Sequence, residues 1–322
     1  MRVFRIQQNN VEASYEKLAL KFKGSHYHKD QFTLNSEFQK IDMHYYPQFP
    51  GIEVSVMHIF LEDDTLFVDE SDDENMVVFQ FMLNSFLKFN VNTGLAEKTE
   101  TISGASMYNA KYPLELLVPK NKDVKYVTIR LKLDMIQGFK QVEWAQFDEL
   151  LFNPKPWMLF ETLNIEMEAL IKDLFFIQKT EAGRRGYSIA KSIELVTAFM
   201  KQFGQRKNEK NAIGPITVAP ELLLQIKNEI IEDFNQPISV EAIARNHGMS
   251  KQKLRVNFKN FFGKSVNQLW QQLRHEEAQR RLRYSDEAIT SIALSLGFND
   301  STHFAKGFKE REGVSPSEYR NT

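Results

Sequence analysis

The chain of 322 residues contains no cysteine. That excludes disulfides, thiolate-ligated zinc or iron–sulfur sites and thiol redox sensing. A charge surplus is missing too: 41 basic residues stand against 42 acidic ones, so this is no polycation that coats nucleic acid by bulk charge. No apolar run approaches the roughly 20 residues that cross a bilayer, and the first ten residues are too polar for a signal peptide, so a cytoplasmic protein without a membrane partner is expected. The sequence has no G-x-S-x-G, no phosphate-binding P-loop and no H-E-x-x-H, and no residue is assigned a catalytic role.

What is present is a repeat. Ile243, Ala244, Gly248, Leu254, Phe258, Lys259, Gly263 and Ser265 recur as Ile292, Ala293, Gly297, Phe304, Phe308, Lys309, Gly313 and Ser315. The offset is 49 residues up to the glycine and 50 after it, so the second copy has one more residue in its turn. Each copy reads as a helix-turn-helix. A short first helix crosses a second steeply, which needs a small residue at the crossing (Ala244, Ala293) and a reversal just after it. Gly248 and Gly297 can take the left-handed conformation that ends a helix. Leu254 with Phe258, and Phe304 with Phe308, then give each second helix one buried stripe and leave its opposite face to DNA.

Ser265 with Gln268 and Ser315 with Glu318 have the spacing of capping boxes, and Pro316 suits a first helical position. Between the units Ser265 to Arg283 has no Gly or Pro and places Val266, Leu269, Trp270, Leu273 and Leu282 on one face. A helix of about 18 residues is roughly 27 Å long, near the roughly 34 Å between successive major-groove faces, so two reading helices can enter adjacent grooves with some bending.

With these anchors, together with Arg274, Ala278 and the ending Tyr319-Arg320, residues 220–322 resemble the DNA-binding domain of AraC-type transcription regulators. The resemblance implies duplex DNA and RNA polymerase as partners and an activator that responds to an effector. The missing cysteine sets the chain apart from the family's methyl-accepting DNA-repair members. Gly307 within the second reading helix departs from the pattern and lowers helix stability by up to about 1 kcal/mol.

From Ser250 to Arg283 nine Lys and Arg face two Glu, a patch suited to phosphates. On a helical wheel Gln252 and Val256 lie opposite Leu254 and Phe258, with Arg255 on the flank; Thr302 and Lys306 lie opposite Phe304 and Phe308. The resemblance points to the same base-reading set: Gln252, Arg255 and Val256, then Ser301, Thr302, Ala305 and Lys306. Gln suits adenine and Arg suits guanine. Lys251, Lys253, Lys259, Lys309 and Arg311 are the phosphate candidates.

The rest of the chain is expected to be regulatory. Residues 1–150 form a β-rich domain, since Ile52 to Leu61 and Val124 to Leu133 alternate and apolar runs at Met76–Leu83 and Leu114–Val118 are separated by turns such as Asn92-Thr-Gly94. A cupin-like barrel or sandwich fits, as in regulators of the resembled family. Residues 151–204 read as a helical hairpin: Trp157, Phe160, Leu163, Met167, Leu170, Leu174 and Ile177, then Ile189, Ile193, Val196 and Met200 after the Gly183–Gly186 turn. Its stripe is to be buried on the barrel or on a second subunit of a homodimer. Residues 205–219 read as a linker. The fold class is therefore multi-domain, a mainly-β N-terminal region, a helical hairpin and an all-α double helix-turn-helix.

His26, His28, Glu37, His44 and His58 offer metal-ligand types, but the carboxylate expected close behind the paired histidines is missing, so polar or surface histidines, no metal and no cofactor are expected. Glu62 to Glu74 carries eight acidic residues without the glycine bend of a calcium loop and reads as solvated loop. Phe32, Tyr45, Tyr46, Phe60, Phe79, Phe81 and Phe89 suit either the lining of an apolar ligand cavity or plain core. Two classes follow: an effector-responsive DNA-binding regulator, or a metal-dependent barrel enzyme fused to a DNA-binding domain.

Overall fold

Alternating β-branched and aromatic residues build the first of two units, residues 1–210, and amphipathic helices build the second, residues 211–322. The computed structural model describes residues 2–6, 11–69, 75–89, 102–109, 114–138, 151–152, 157–204, 218, 220–236 and 238–321. The expected turn at 92–94 and nearly all of the linker lie outside the described residues.

In the first unit strands Arg2–Ile6 (β1), His26–His28 (β2), Gln31–Asn35 (β3), Lys40–Phe49 (β4), Ile52–Phe60 (β5), Thr65–Asp69 (β6), Met76–Phe89 (β7), Ile102–Asn109 (β8), Leu114–Val118 (β9), Val124–Lys132 (β10) and Met158–Glu161 (β11) hydrogen-bond into one sheet. The order is β1-β6-β9-β7-β10-β5-β4-β3-β2, with β8 between β7 and β11. Among the described strands only β1 and β6 pair in parallel. β7 belongs to two layers. Its first part pairs β10 and β8, a register shift follows between Met82 and Ser85, and Phe86–Phe89 pairs β9. A bulge of this kind bends a strand from one layer into the next, as a barrel or sandwich requires.

Helices Ile165–Ile177 (α3) and Arg184–Gly204 (α4) follow β11, after shorter helices Val11–Lys21 (α1) and Leu133–Gly138 (α2). The α3 and α4 stripe is buried on its own sheet. Phe199 meets Phe79 and Phe81 of β7 edge-on, with ring centres 5.3 and 6.1 Å apart. Tyr46 Oη donates to Gln178 Oε1 (2.5 Å), and Gln178 Nε2 donates to Ser188 Oγ (3.0 Å).

Four local expectations change. Trp157 and Phe160 flank or occupy β11 rather than a helix, because Met158–Glu161 pairs with β8; α3 starts later, where Asn164 Oδ1 accepts from Met167 N. Residues 65–69 form β6 instead of solvated loop. Leu66 and Phe67 are buried, Phe67 stacks on Phe4, and the preceding carboxylates are engaged by Arg2 and by the Lys120 amide. The remainder of that acidic tract, 70–74, lies outside the described residues. α1 interrupts the β-rich region, burying Tyr15 and Leu18, with Phe22 just beyond it, at helical intervals. On β5 the alternation does not separate inside from outside: Ile52, Val54 and Val56 are buried on one face, Met57 and Ile59 on the other, while His58 and Phe60 are half-buried. Both faces of this strand are covered, and a period of two then carries no orientation.

The second unit contains Pro220–Glu232 (α5), Val240–Asn246 (α6), Lys251–Phe262 (α7), Val266–Tyr284 (α8), Ile289–Ser295 (α9), Ser301–Glu312 (α10) and Pro316–Arg320 (α11). Gly248 and Gly297 adopt φ of +63° and +75°, as helix-ending glycines do. Ala244 and Ala293 are buried, as are Leu254, Phe258, Phe304 and Phe308. The turn runs from 247 to 250 in the first unit and from 296 to 300 in the second, one residue longer. Both capping boxes form, at Ser265 with Gln268 and at Ser315 with Glu318. No helix among the described residues is long and apolar enough to cross a membrane.

Candidate functional site

The two second helices of the repeat, α7 and α10, present comparable outer faces. Ser250 caps α7 by accepting from Lys253 N (3.1 Å), and Asp300 caps α10 by accepting from His303 N (2.7 Å). Gly263 and Gly313 end the helices in the left-handed conformation. With the apolar stripes buried, Gln252, Arg255 and Val256 are exposed on α7, Val256 at 44% of its surface. An exposed branched apolar side chain on a reading face matches a thymine methyl. On α10 Thr302 and Lys306 are exposed, while Ser301 and Ala305 are half-buried. His303, absent from the sequence-based set, is exposed beside Thr302 and one turn from Lys306. Gly307 is exposed, and a Cβ there would meet nothing within 4 Å.

The basic tract divides. Lys253 and Arg255 are exposed, as are Lys309 and Arg311, and Lys259 is half-buried. Lys251, by contrast, is ion-paired with Glu241 of α6. Arg280 and Arg281 bind Glu277 (2.6 and 2.8 Å), Arg283 lies over the Tyr319 ring, and Arg274 contacts the rings of Trp270 and Phe298. The tract therefore serves the interior of the unit as much as its surface. Sequence reasoning also missed a buried polar group on α8: Gln272 and Glu276 are buried, with Gln272 Nε2 donating to Glu276 Oε1 (2.6 Å). Burial lifts the Glu276 carboxyl to about 7, and burial lowers Lys227 of α5 to about 8, each shift opposed by the other's charge.

The first unit carries a second arrangement. Strand register places Tyr45, Ser55, Thr128, Gln80 and Ser106 side by side across β4, β5, β10, β7 and β8. All five are buried. They share the face opposite to Phe79 and Phe81, because neighbouring strand residues point to opposite sides. One pleat along, Glu53 and Arg130 are direct cross-strand partners, and Tyr45 Oη donates to Glu53 Oε2 (3.0 Å). Burial lowers the Arg130 guanidinium to about 10 against the pull of Glu53. Gln80 Oε1 and Ser106 Oγ are buried without a hydrogen-bond partner among the described residues, and buried polar atoms of this kind call for a ligand or bound water. The seven aromatic residues expected to line one cavity do not share a face. Tyr46, Phe79 and Phe81 meet the helices, Phe32 and Tyr45 point the other way, Phe60 is half-buried, and the side chain of Phe89 is outside the described residues.

The histidines also separate. His26 and His28 are exposed on β2, and Glu37 is exposed in the turn between β3 and β4. His44 is buried with Nε2 2.9 Å from Asp42 Oδ1, and His58 pairs with Asp123 at 2.5 Å. No group of three metal-capable side chains occurs among the described residues.

Residues 243–322 match a family model described as a helix-turn-helix domain. The chain is 38% identical over 95 residues to the HTH-type transcriptional activator RhaR of Pectobacterium carotovorum, covering 30% of this chain and 34% of that protein. It is 29% identical over 205 residues to RhaR of Salmonella schwarzengrund, covering 62% of this chain and 68% of the relative. A crystal structure of a transcriptional regulator from Chromobacterium violaceum, described among AraC-type DNA-binding domain-containing proteins, is 25% identical, with a TM-score of 0.29, over 31% of this chain and 90% of that one. The chain spans about a third of the length of the first of these relatives.

Proposed function

We propose, from the match of residues 243–322 to a helix-turn-helix domain and their resemblance to the AraC type, that the protein is a sequence-specific, duplex-DNA-binding transcription regulator, an activator controlled by a small effector. The observation that carries this reading is the pair of capped helices α7 and α10 with buried aromatic stripes and polar outer faces. Gln252, Arg255 and Val256 of α7 read bases, and Ser301, Thr302, Ala305 and Lys306 of α10 read fewer and position more, since their side chains are mostly short. Lys253, Lys259, Lys309 and Arg311 hold phosphates; Lys251 does so only by leaving Glu241. Contact with RNA polymerase and pairing with a second copy are carried over from the resemblance.

Titration with duplexes selected from a random pool tests the assignment. Arg255→Ala should lose about 1–3 kcal/mol on the selected sequence and little on random duplex, whereas Lys253→Ala should weaken both alike and reduce the salt slope by about one. Equal losses on both duplexes for Arg255→Ala would remove Arg255 from the reading set.

The effector site in this proposal is the buried row Tyr45, Ser55, Thr128, Gln80 and Ser106, beside the Glu53 and Arg130 pair. Hydroxyl and amide groups beside the oppositely charged cross-strand neighbours Glu53 and Arg130 suit an uncharged, hydroxyl-rich molecule that both donates and accepts hydrogen bonds. A polyol or sugar that raises the melting temperature of the wild type should leave Gln80→Leu unmoved; an unchanged shift in that variant would place the effector elsewhere.

A further inference from the structure

Helix α8 joins the two reading units, and its Ala278 and Leu282 pack into the core of the second. A second attachment lies off the axis. Phe234, in the segment between α5 and α6, has its ring 6.3 Å from that of Trp270 on α8. The Arg274 guanidinium lies 4.4 Å from the Trp270 ring centre and 4.1 Å from that of Phe298. Phe298 belongs to the turn of the second unit, and its ring stands edge-on to Phe304 of α10, 5.1 Å away. The same segment touches that turn again, since a Cβ on Gly297 would lie 2.4 Å from the carbonyl oxygen of Phe234. A column of four side chains thus runs from the N-terminal flank of the first unit, through α8, to the foot of the second reading helix.

We propose that Arg274 is a positioning residue which, in contact with both Trp270 and Phe298, sets the separation and angle of α7 and α10, and thereby the number of base pairs between half-sites that the protein accepts. This rests on the DNA-binding reading above. A planar, delocalised cation can lie against two aromatic rings at once, so lysine at 274 keeps the charge and loses that paired contact. One inserted base pair turns the far half-site by roughly 35° and moves it by about 3.4 Å. A rigid pair of helices cannot follow that displacement, and a loosened pair can.

The test uses the full chain on a selected duplex and on versions with one base pair inserted or deleted between the halves. Wild type should lose about tenfold or more per change, whereas Arg274→Ala and Arg274→Lys should each bind the parent duplex more weakly and lose less than about threefold per change. Unchanged spacing discrimination in both variants overturns the proposal. So does a uniform loss in Arg274→Ala with full recovery in Arg274→Lys, which marks a phosphate contact. A second arm needs no DNA. Because the chain has no cysteine, spin labels enter only at Asn246→Cys and Glu310→Cys, both exposed, and the distance distribution between them should broaden in Arg274→Ala at unchanged helix content. An unbroadened distribution refutes the clamp. Broadening in a protein that binds no duplex sustains the clamp and refutes the DNA-binding reading instead.

Discussion

Gly297→Ala should destabilise the second helix-turn-helix by about 2–5 kcal/mol, whereas Gly248→Ala, the equivalent change in the first, should cost only about 1–2 kcal/mol. Both glycines have positive φ, so both substitutions strain the backbone alike. The surroundings differ. A Cβ at Gly248 meets nothing within 4 Å, whereas at Gly297 it meets the Phe234 carbonyl oxygen at 2.4 Å and the Asn235 Cα at 3.1 Å. Backbone atoms cannot rotate aside as a flexible side chain can, so the turn or the Phe234 segment has to shift. Hydrogen exchange at the α10 amides reads the difference directly: protection should fall much further in Gly297→Ala than α7 protection falls in Gly248→Ala. Equal losses would mean that the segment gives way freely and braces nothing.

Glu276→Leu or Lys227→Met alone should each destabilise the second unit by about 3–5 kcal/mol, while the double variant should lie within about 1 kcal/mol of wild type. Each residue is buried, Lys227 at 4% and Glu276 at 8% exposure. Removing one charge takes from the other an opposite charge that offsets its burial; removing both leaves packed side chains of similar size. Urea unfolding of the four proteins closes the cycle, and additive single losses would show the two residues to be uncoupled.

The same pair makes stability depend on pH. A carboxyl whose folded value is raised above its unfolded value contributes stability that is complete below the unfolded value and is lost as pH rises through the folded one. For Glu276 that window runs from about 4.5 to about 7. Lys264, Arg280 and Lys227 face it and limit the rise that burial causes, and Gln272 holds it by a hydrogen bond. Lys227, lowered to about 8 from 10.5, acts in a separate alkaline window, where its contribution is lost as pH falls. Relative to Glu276→Gln, the wild type should therefore gain stability as pH falls from about 7 to about 4.5. Parallel profiles for the two proteins would exclude Glu276 as the group responsible.

Most of the double repeat was legible from the residues because its rules are local. A glycine with positive φ, a serine with Gln or Glu three positions on, and apolar residues four apart each act within one or two turns of chain. The row of Tyr45, Ser55, Thr128, Gln80 and Ser106 was not legible, because its members come from five strands and meet only through register. Trp157 and Phe160 misled for a related reason: their spacing suits a helix, and only the open edge of β8 makes a strand there more favourable. The burial of Glu276 and Lys227 was not legible either, since nothing in a linear pattern shows which helix faces are enclosed.

The amino-acid order by itself determined the two helix-turn-helix units, their caps and turns, and the inward aromatic pairs, since backbone sterics and short-range hydrogen bonding decide those features wherever the segment lies. Only the tertiary structure decided which charges face solvent, which face of the sheet meets the helices and which is lined with polar groups, and that Gly297 rather than Gly248 bears against a neighbouring backbone. Those outcomes depend on what packs against each side chain from distant parts of the chain, and burial, desolvation and close contact have no counterpart in sequence spacing.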